Sequence, residues 1–207
     1  MVKLIVDGRP LEVPAGITIL EAVRKLAVKL PTLCAWEGRS TVGSCRVCLV
    51  EVKGAPRLVA ACRTYVEDDM EIFTHSARVL AARRTNVELL LSEHDCRCLE
   101  CAKNGKCELQ TLAQDLGILA QPFPNEPAVK HVATKAGKIV RNDAKCVKCL
   151  KCIEACNAKG LKLWRFFGSG KNAYIGVKGG KLLEETACDF CGDCVAACPT
   201  AALTIRS

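Results

Sequence analysis

The 207 residues predict an α+β chain built from three small modules, and three observations carry that prediction. The first 75 residues alternate strand-like and helix-like apolar periods. A compact loop, His94-Asp-Cys-Arg-Cys-Leu-Glu-Cys-Ala-Lys-Asn-Gly-Lys-Cys107, then follows a helical stretch. Finally, a cysteine run spaced by two, two and three residues occurs twice, from Cys146 and from Cys188. The expected division is 1–75, 76–120, a linker over 121–136, and 137–207.

Residues 2–6 and 9–13 read as short strands around Asp7-Gly8, a pair that accepts the positive φ angles of a two-residue hairpin turn. Pro14, Ala15 and Gly16 break the pattern. Thr18 and Glu21 then form a capping box for a helix carrying Leu20, Val23, Ala27 and Leu30 on one side, with Pro31 as its end. Residues 47–52 and 57–61 read as a strand pair around Lys53-Gly54, and Met70 to Phe73 as a last strand. Ser76 to Ser92 is an expected helix, with Val79, Leu80, Val87, Leu90 and Leu91 apolar and Arg78, Arg83 and Arg84 on a solvated face. Cys107 to Leu116 reads as a second helix, stopped by Gly117. Three prolines in Gln121 to Pro127 predict a semi-rigid linker. Leu161 to Phe167 and Tyr174 to Val177 form an expected hairpin, with Trp164, Phe166 and Phe167 as its packing.

Sixteen cysteines approach the density of a disulfide scaffold. The first residues, with Lys3 and Asp7, lack an apolar stretch of signal-peptide length, and no run is long enough to span a bilayer. A cytoplasmic chain without transmembrane segment is expected, and in a reducing compartment close cysteine pairs point to metal. There is no Gly-x-Gly-x-x-Gly after a strand and no P-loop, so neither a Rossmann-type dinucleotide site nor nucleotide hydrolysis is supported.

The cysteines fall into groups of ligand size. Cys34, Cys45, Cys48 and Cys62 are separated by ten, two and thirteen residues. The close pair can hold one iron from a single loop while Cys34 and Cys62 come from its flanks, as a 2Fe-2S rhomb needs. Gly38 and Gly43 suit a loop whose amides turn toward sulfur. His94, Cys98, Cys101 and Cys107 put one imidazole and three thiols on one loop, a soft cage for a metal centre. Cys96 is an extra thiol, either a spare side chain or a replacement for His94 as ligand. His75 and His131 have no cysteine company and read as ordinary polar residues.

Cys146, Cys149, Cys152 and Cys156, then Cys188, Cys191, Cys194 and Cys198 followed by Pro199, give the bacterial two-cluster ferredoxin pattern, in which each fourth cysteine ligates the other cluster. One 4Fe-4S set is thus Cys146, Cys149, Cys152 and Cys198, the other Cys156, Cys188, Cys191 and Cys194. Asn157 stands where the second run has proline. Structural zinc is the alternative, but this crossed run matches iron–sulfur usage and not tetrahedral zinc fingers.

Hairpin, helix and further strands resemble the beta-grasp arrangement of plant-type ferredoxins. The string Gly43-Ser-Cys-Arg-Val-Cys-Leu-Val-Glu-Val52 departs from the plant-type spacing. It is similar instead to the N-terminal domain shared by the large iron–sulfur subunit of respiratory complex I, iron-only hydrogenases and the diaphorase arm of NAD-reducing hydrogenases. In those families the segment around His94 resembles a module that binds a 4Fe-4S cluster through one histidine and three cysteines. The resemblance implies a beta-grasp 2Fe-2S ferredoxin domain, a small helical 4Fe-4S module with histidine and cysteine ligands, and a bacterial-type 2[4Fe-4S] ferredoxin domain.

One 2Fe-2S and three 4Fe-4S clusters change the charge reading. Oxidation-state counting gives about -2 for each all-cysteine centre and about -1 for the histidine-ligated one, roughly -7 in total. The formal +8 becomes +1 (+8 minus 7), so the lysines read as counter-charge. With 4% aromatic residues, stacking platforms are scarce and nucleic acid is not an expected partner. The resemblance implies an electron-transfer subunit of an oxidoreductase complex. It looks most like the small iron–sulfur subunit of NAD(P)-linked nickel–iron hydrogenases, including bifurcating forms. The implied partners are a flavin-containing NAD(P)H dehydrogenase subunit and nickel–iron hydrogenase subunits, which would hold the catalytic sites. An electron-input subunit of a formate dehydrogenase or complex I relative, and a freely diffusing polycluster carrier, are the alternatives.

Overall fold

The computed structural model describes residues 1–39, 41–124 and 138–206. His131 and most of the expected linker lie outside the described residues. The chain divides into two compact units, Met1–Ala35 with Thr41–Val87, and Trp36–Ser40 with Glu88–Ser207.

In the first unit, β1 (Val2–Val6) and β2 (Arg9–Val13) pair antiparallel from Val2↔Val13 to Val6↔Arg9. Asp7 and Gly8 take φ 48° and 77°, the two left-handed positions the tight turn requires. β3 (Leu49–Val52), β4 (Val59–Ala60) and β5 (Met70–Phe73) complete a five-stranded sheet of order β2-β1-β5-β3-β4, with β5 parallel to β1. Along β1, Val2, Leu4 and Val6 are buried while Lys3 and Ile5 face out. Helix α1 (Ile19–Lys25) buries Ile19, Leu20, Ala22 and Val23 in the same core as Val50 and Ile72.

α1 is shorter than its apolar pattern suggests. Ala27 enters the left-handed region at φ 56° and closes the helix, so Pro31 does not end it. Leu30 is buried all the same, from the segment that follows. The strands at 47–52 and 57–61 also shrink, to Leu49–Val52 and Val59–Ala60, because Cys48 and Cys62 lie just outside the ladder. Asp7 accepts from the Thr74 amide at 2.7 Å and from its hydroxyl at 2.5 Å, tying the hairpin turn to the end of β5.

Helix α2 (Ala77–Ser92) starts at Ser76, whose hydroxyl accepts from the Val79 amide. The expectation of three solvated arginines fails at Arg83, which is only 2% exposed. It lies four residues from both Val79 and Val87, on the buried stripe. There it donates to the carbonyls of Leu49 at 2.8 Å and Thr74 at 3.1 Å, main-chain acceptors at strand ends. Arg78 also leaves solvent in part, donating to the Pro56 carbonyl at 2.7 Å.

The second unit contains α3 (Glu108–Asp115), β6 (Ile139–Arg141), α4 (Lys151–Ala158), β7 (Trp164–Phe167), β8 (Tyr174–Val177), α5 (Asp193–Ala196) and β9 (Leu203–Ile205). β6 pairs with β9 from Ile139↔Ile205, and β7 with β8 from Trp164↔Val177. Ile139, Trp164, Ile175, Val177, Leu183 and Leu203 form a core continuous with cysteines of both repeated runs. Trp164 and Phe167 pack as expected, Phe167 stacking on Tyr174 at 5.2 Å. Phe166 does not: it is 46% exposed, since the two-stranded sheet offers no further strand to cover it. Among the described residues no helix is long and apolar enough to cross a membrane.

Candidate metal centres

All four cysteines of the first group are buried, Cys34 beyond α1, Cys45 and Cys48 ahead of β3, and Cys62 just past β4. The sulfurs of Cys48 and Cys62 are hydrogen-bonded at 3.2 Å, far longer than the disulfide length of about 2.05 Å. Cys34 is hydrogen-bonded by the thiols of Cys45 and Cys62 and by main-chain groups of Cys45 and Gly43. Arg46, at φ 53°, turns the backbone between Cys45 and Cys48, and each meets a sulfur from a flank. Gly43 sits at φ 74°, where a Cβ would come within 2.8 Å of Arg63 Cγ.

These contacts divide the sulfurs electrostatically. Hydrogen bonds from Cys45 and Cys62 pull Cys34 down to about 2, and the bond with Cys62 brings Cys48 to about 7. Their partners Cys45 and Cys62 are driven up by those hydrogen bonds and by burial. Four thiolates cannot coexist there without cationic compensation, so the donor set fits an iron–sulfur cluster.

The second group begins where α2 ends. The His94 amide bonds the Leu91 carbonyl at 3.1 Å, and the Asp95 amide bonds the Ala144 carbonyl at 2.6 Å. The imidazole is 7% exposed; burial, then the charge of Lys145, lower its pKa to about 4. It is thus neutral near pH 7, the form that binds metal. Cys98 lies in a short 3-10 turn within the electrostatic reach of Cys107 and Cys101, and Cys107 starts α3. Cys96 is exposed, and its thiol is directed at the carbonyls of His94 at 3.4 Å and Leu91 at 3.6 Å.

The eight remaining cysteines are gathered across the two runs. Cys146, Cys149, Cys152 and Cys198 line one small pocket. Cys194 interacts instead with Cys188, Cys156 and Cys191. Cys198 therefore lies beside the first run, and Cys156 beside the second. Burial pushes Cys149 up to about 12 and Cys194 to about 11, so these thiols too need a cation to ionise. Both runs repeat one backbone device. The residues flanking the second cysteine are left-handed, Lys148 at φ 52° and Leu150 at 62°, then Phe190 at 54° and Gly192 at 82°. Such turns aim successive amides into a concavity that receives anions, including iron–sulfur centres. Among the described residues no three His, Cys, Asp or Glu side chains form a cage for a single ion, and a polynuclear core takes its thiolates from a wider circle.

The cage loop is stitched to this segment. Lys103 donates to the Cys198 carbonyl, the Glu108 amide bonds the Pro199 carbonyl at 3.0 Å, and Lys148 pairs with Glu93 at 2.8 Å. Two residues, and a further role for Trp164, escaped the sequence reading. Arg141 and Asp143 form a buried ion pair at 2.5 Å beside the Cys146 set, and Trp164 hydrogen-bonds Cys194. A signal existed for Arg141, which shares the inward face of β6 with Ile139.

Three family models match consecutive stretches: a 2Fe-2S iron–sulfur cluster binding domain over 1–77, the NADH-ubiquinone oxidoreductase-G iron–sulfur binding region over 83–122, and a 4Fe-4S dicluster domain over 138–199. The chain is a multi-cluster iron–sulfur protein. Its sequence is 41% identical over 209 aligned residues to the NADP-reducing hydrogenase subunit HndD of Solidesulfovibrio fructosivorans, covering 98% of this chain and 36% of that one. It is 33% identical to the NADH-ubiquinone oxidoreductase 75 kDa subunit of Reclinomonas americana, covering 100% of this chain and 30% of the relative. This iron–sulfur protein thus spans about a third of the length of these curated relatives. A chain in the crystal structure of an NAD+-reducing [NiFe]-hydrogenase in the H2-reduced state superposes with TM-score 0.93 at 26% identity, over 100% of this chain and 88% of that one.

Proposed function

We propose that this iron–sulfur protein holds one 2Fe-2S and three 4Fe-4S clusters and relays electrons between a flavin-containing NAD(P)H dehydrogenase subunit and nickel–iron hydrogenase subunits. The observation that supports the reading most is the gathering of Cys34, Cys45, Cys48 and Cys62 in one buried group and of Cys146, Cys149, Cys152 and Cys198 around one pocket. Cys34, Cys45, Cys48 and Cys62 would hold the 2Fe-2S cluster. His94, Cys98, Cys101 and Cys107 would hold one 4Fe-4S cluster, and the two crossed sets would hold the others. The division into 1–75, 76–120 and 137–207 belongs to the same proposal, as does residence in the cytoplasm, where thiols stay reduced.

Bound clusters supply reversible one-electron chemistry. The protein's own residues bury the thiols away from water, present main-chain amides to them, and at His94 replace a thiolate by a neutral ring. The likeness to the hydrogenase chain supports the choice of partners because it extends over nearly the full length of both. The alignment with an NADH-ubiquinone oxidoreductase subunit favours a second reading, the electron-input arm of a complex I relative.

Anaerobically purified chain should contain about fourteen irons with matching sulfide. It should accept electrons from dithionite yet neither oxidise NADH nor evolve hydrogen, while the complete complex couples hydrogen oxidation to NAD(P) reduction. Zinc in place of iron, with little sulfide, would end the cluster reading. A native chain that purifies alone and exchanges electrons with several enzymes would establish the diffusing carrier.

A further inference from the structure

Arg141, Asp143 and Trp164 form a buried polar group between the two crossed cysteine sets. The side chains of Arg141 and Asp143 are 1% and 3% exposed and meet at 2.5 Å. The guanidinium also lies 5.7 Å from the centroid of the Trp164 ring and hydrogen-bonds the Cys146 sulfur. It lines the pocket shared by Cys146, Cys149, Cys152 and Cys198. Trp164, itself fully buried, hydrogen-bonds the sulfur of Cys194 in the other set. One contiguous pair thus gives a hydrogen bond to a cysteine of each set.

A buried ion pair is a poor way to stabilise a core, since apolar residues of equal volume usually do as well or better. Here its cationic end is bonded to a proposed ligand, which points to redox tuning. Hydrogen bonds to ligand sulfurs and nearby net charge set the potential of iron–sulfur centres. Adding one electron makes a set and its irons one unit more negative with no proton taken up. Arginine keeps its proton in both states. A fixed cation beside the sulfur therefore favours the reduced form, and a neutral indole donor does so less strongly.

We propose that Arg141 and Trp164 are a two-donor bridge that raises the reduction potentials of the neighbouring four-iron sites, Arg141 acting on the Cys146 set and Trp164 on the Cys194 set, with Asp143 limiting the first effect. This rests on the ligand sets proposed above.

The test is a potentiometric titration of the full, cluster-loaded chain, with mediators and dithionite, followed by electron paramagnetic resonance. Cys146→Ser and Cys188→Ser assign the two signals. Arg141→Gln should lower the reduced-to-oxidised ratio of the Cys146-set signal at least tenfold at fixed potential, a shift of about 59 mV for one electron. Trp164→Phe should lower the other signal by a smaller factor. Asp143→Asn should raise the first ratio, an opposite sign that general loosening of the fold would not produce. If Arg141→Gln fails to retain iron, Asp143→Asn and Trp164→Phe decide the matter on their own. Full iron content with unmoved ratios, or equal shifts of both signals in every variant, would overturn the bridge. A native chain lacking the eight irons of this segment would instead overturn the ligand sets.

Discussion

Two side chains two residues apart compete for one role in the cage loop. His94 is buried and neutral near pH 7, whereas Cys96 is exposed and turned toward main-chain carbonyls. A neutral imidazole in place of a thiolate leaves a cluster one negative charge poorer and easier to reduce. His94→Cys should therefore lower the midpoint of one 4Fe-4S signal by on the order of 100 mV and leave the others in place, as read in a redox titration. Four intact clusters in His94→Ala, with one lost in Cys96→Ser, would hand the role to Cys96. At this scale the thiol groups were legible because their spacing is itself chemistry. The arginines were not. Arg83 and Arg141 sit on buried stripes where periodicity calls for an apolar residue, and charge alone assigned Arg83 to solvent. Only the strand-end carbonyls around Arg83 and the Cys146 thiol beside Arg141 explain why a guanidinium belongs there.

Short elements carry the scaffold, so their ends matter. The capping box of α1 was readable from Thr18 and Glu21, and the structure closes it in both directions. The Glu21 carboxylate accepts from the Thr18 amide at 2.7 Å, and the Thr18 hydroxyl accepts from the Glu21 amide at 3.3 Å. Hydrogen bonds from the Thr18 main chain, then its side chain, hold the Glu21 carboxyl below its usual range. The sign follows from that depression. Glu21's contribution is complete above its unfolded value of about 4.3 and fades as pH falls through the lower folded value. Thr18→Ala should cost about 1 kcal/mol, accelerating hydrogen exchange of the first-turn amides of α1 roughly fivefold near neutral pH. The ratio of variant to wild-type exchange should fall in acid by the part owed to the Thr18 hydroxyl donating to the Glu21 carboxylate, and stay above one because the lost hydroxyl also served the Glu21 amide. A ratio independent of pH would remove Glu21 from the account. The far end of α1 was less legible, because Ala27 adopts φ 56° where no glycine or asparagine announced it. β4 is two residues long because the chain must leave the ladder to deliver Cys62, a demand of the site that strand propensity does not express.

For the whole chain, the order of three family domains was written in the cysteine spacing, while the stitching within the second unit was not. Lys103 and the Glu108 amide reach the carbonyls beside Cys198 across roughly ninety residues, and no local pattern marks that pairing. The relay proposal makes a demand at this scale. Cys198→Ser in the assembled complex should abolish hydrogen-dependent NAD(P) reduction, while the flavin partner still reduces artificial dyes with NADH. Coupling that survives would favour the carrier. The crossed arrangement of Cys156 and Cys198 also bears on how such a chain is made. Each set borrows one sulfur from the opposite run, and the strands Ile139–Arg141 and Leu203–Ile205 must pair to hold the segment closed. A ribosome that has delivered Cys146 to Cys156 has delivered neither site, only three thiols of one and a single thiol of the other. If these sets hold clusters as proposed, the Cys188 set is complete once Cys194 is made and the Cys146 set only with Cys198, so neither could be loaded before the second run is translated and folded back.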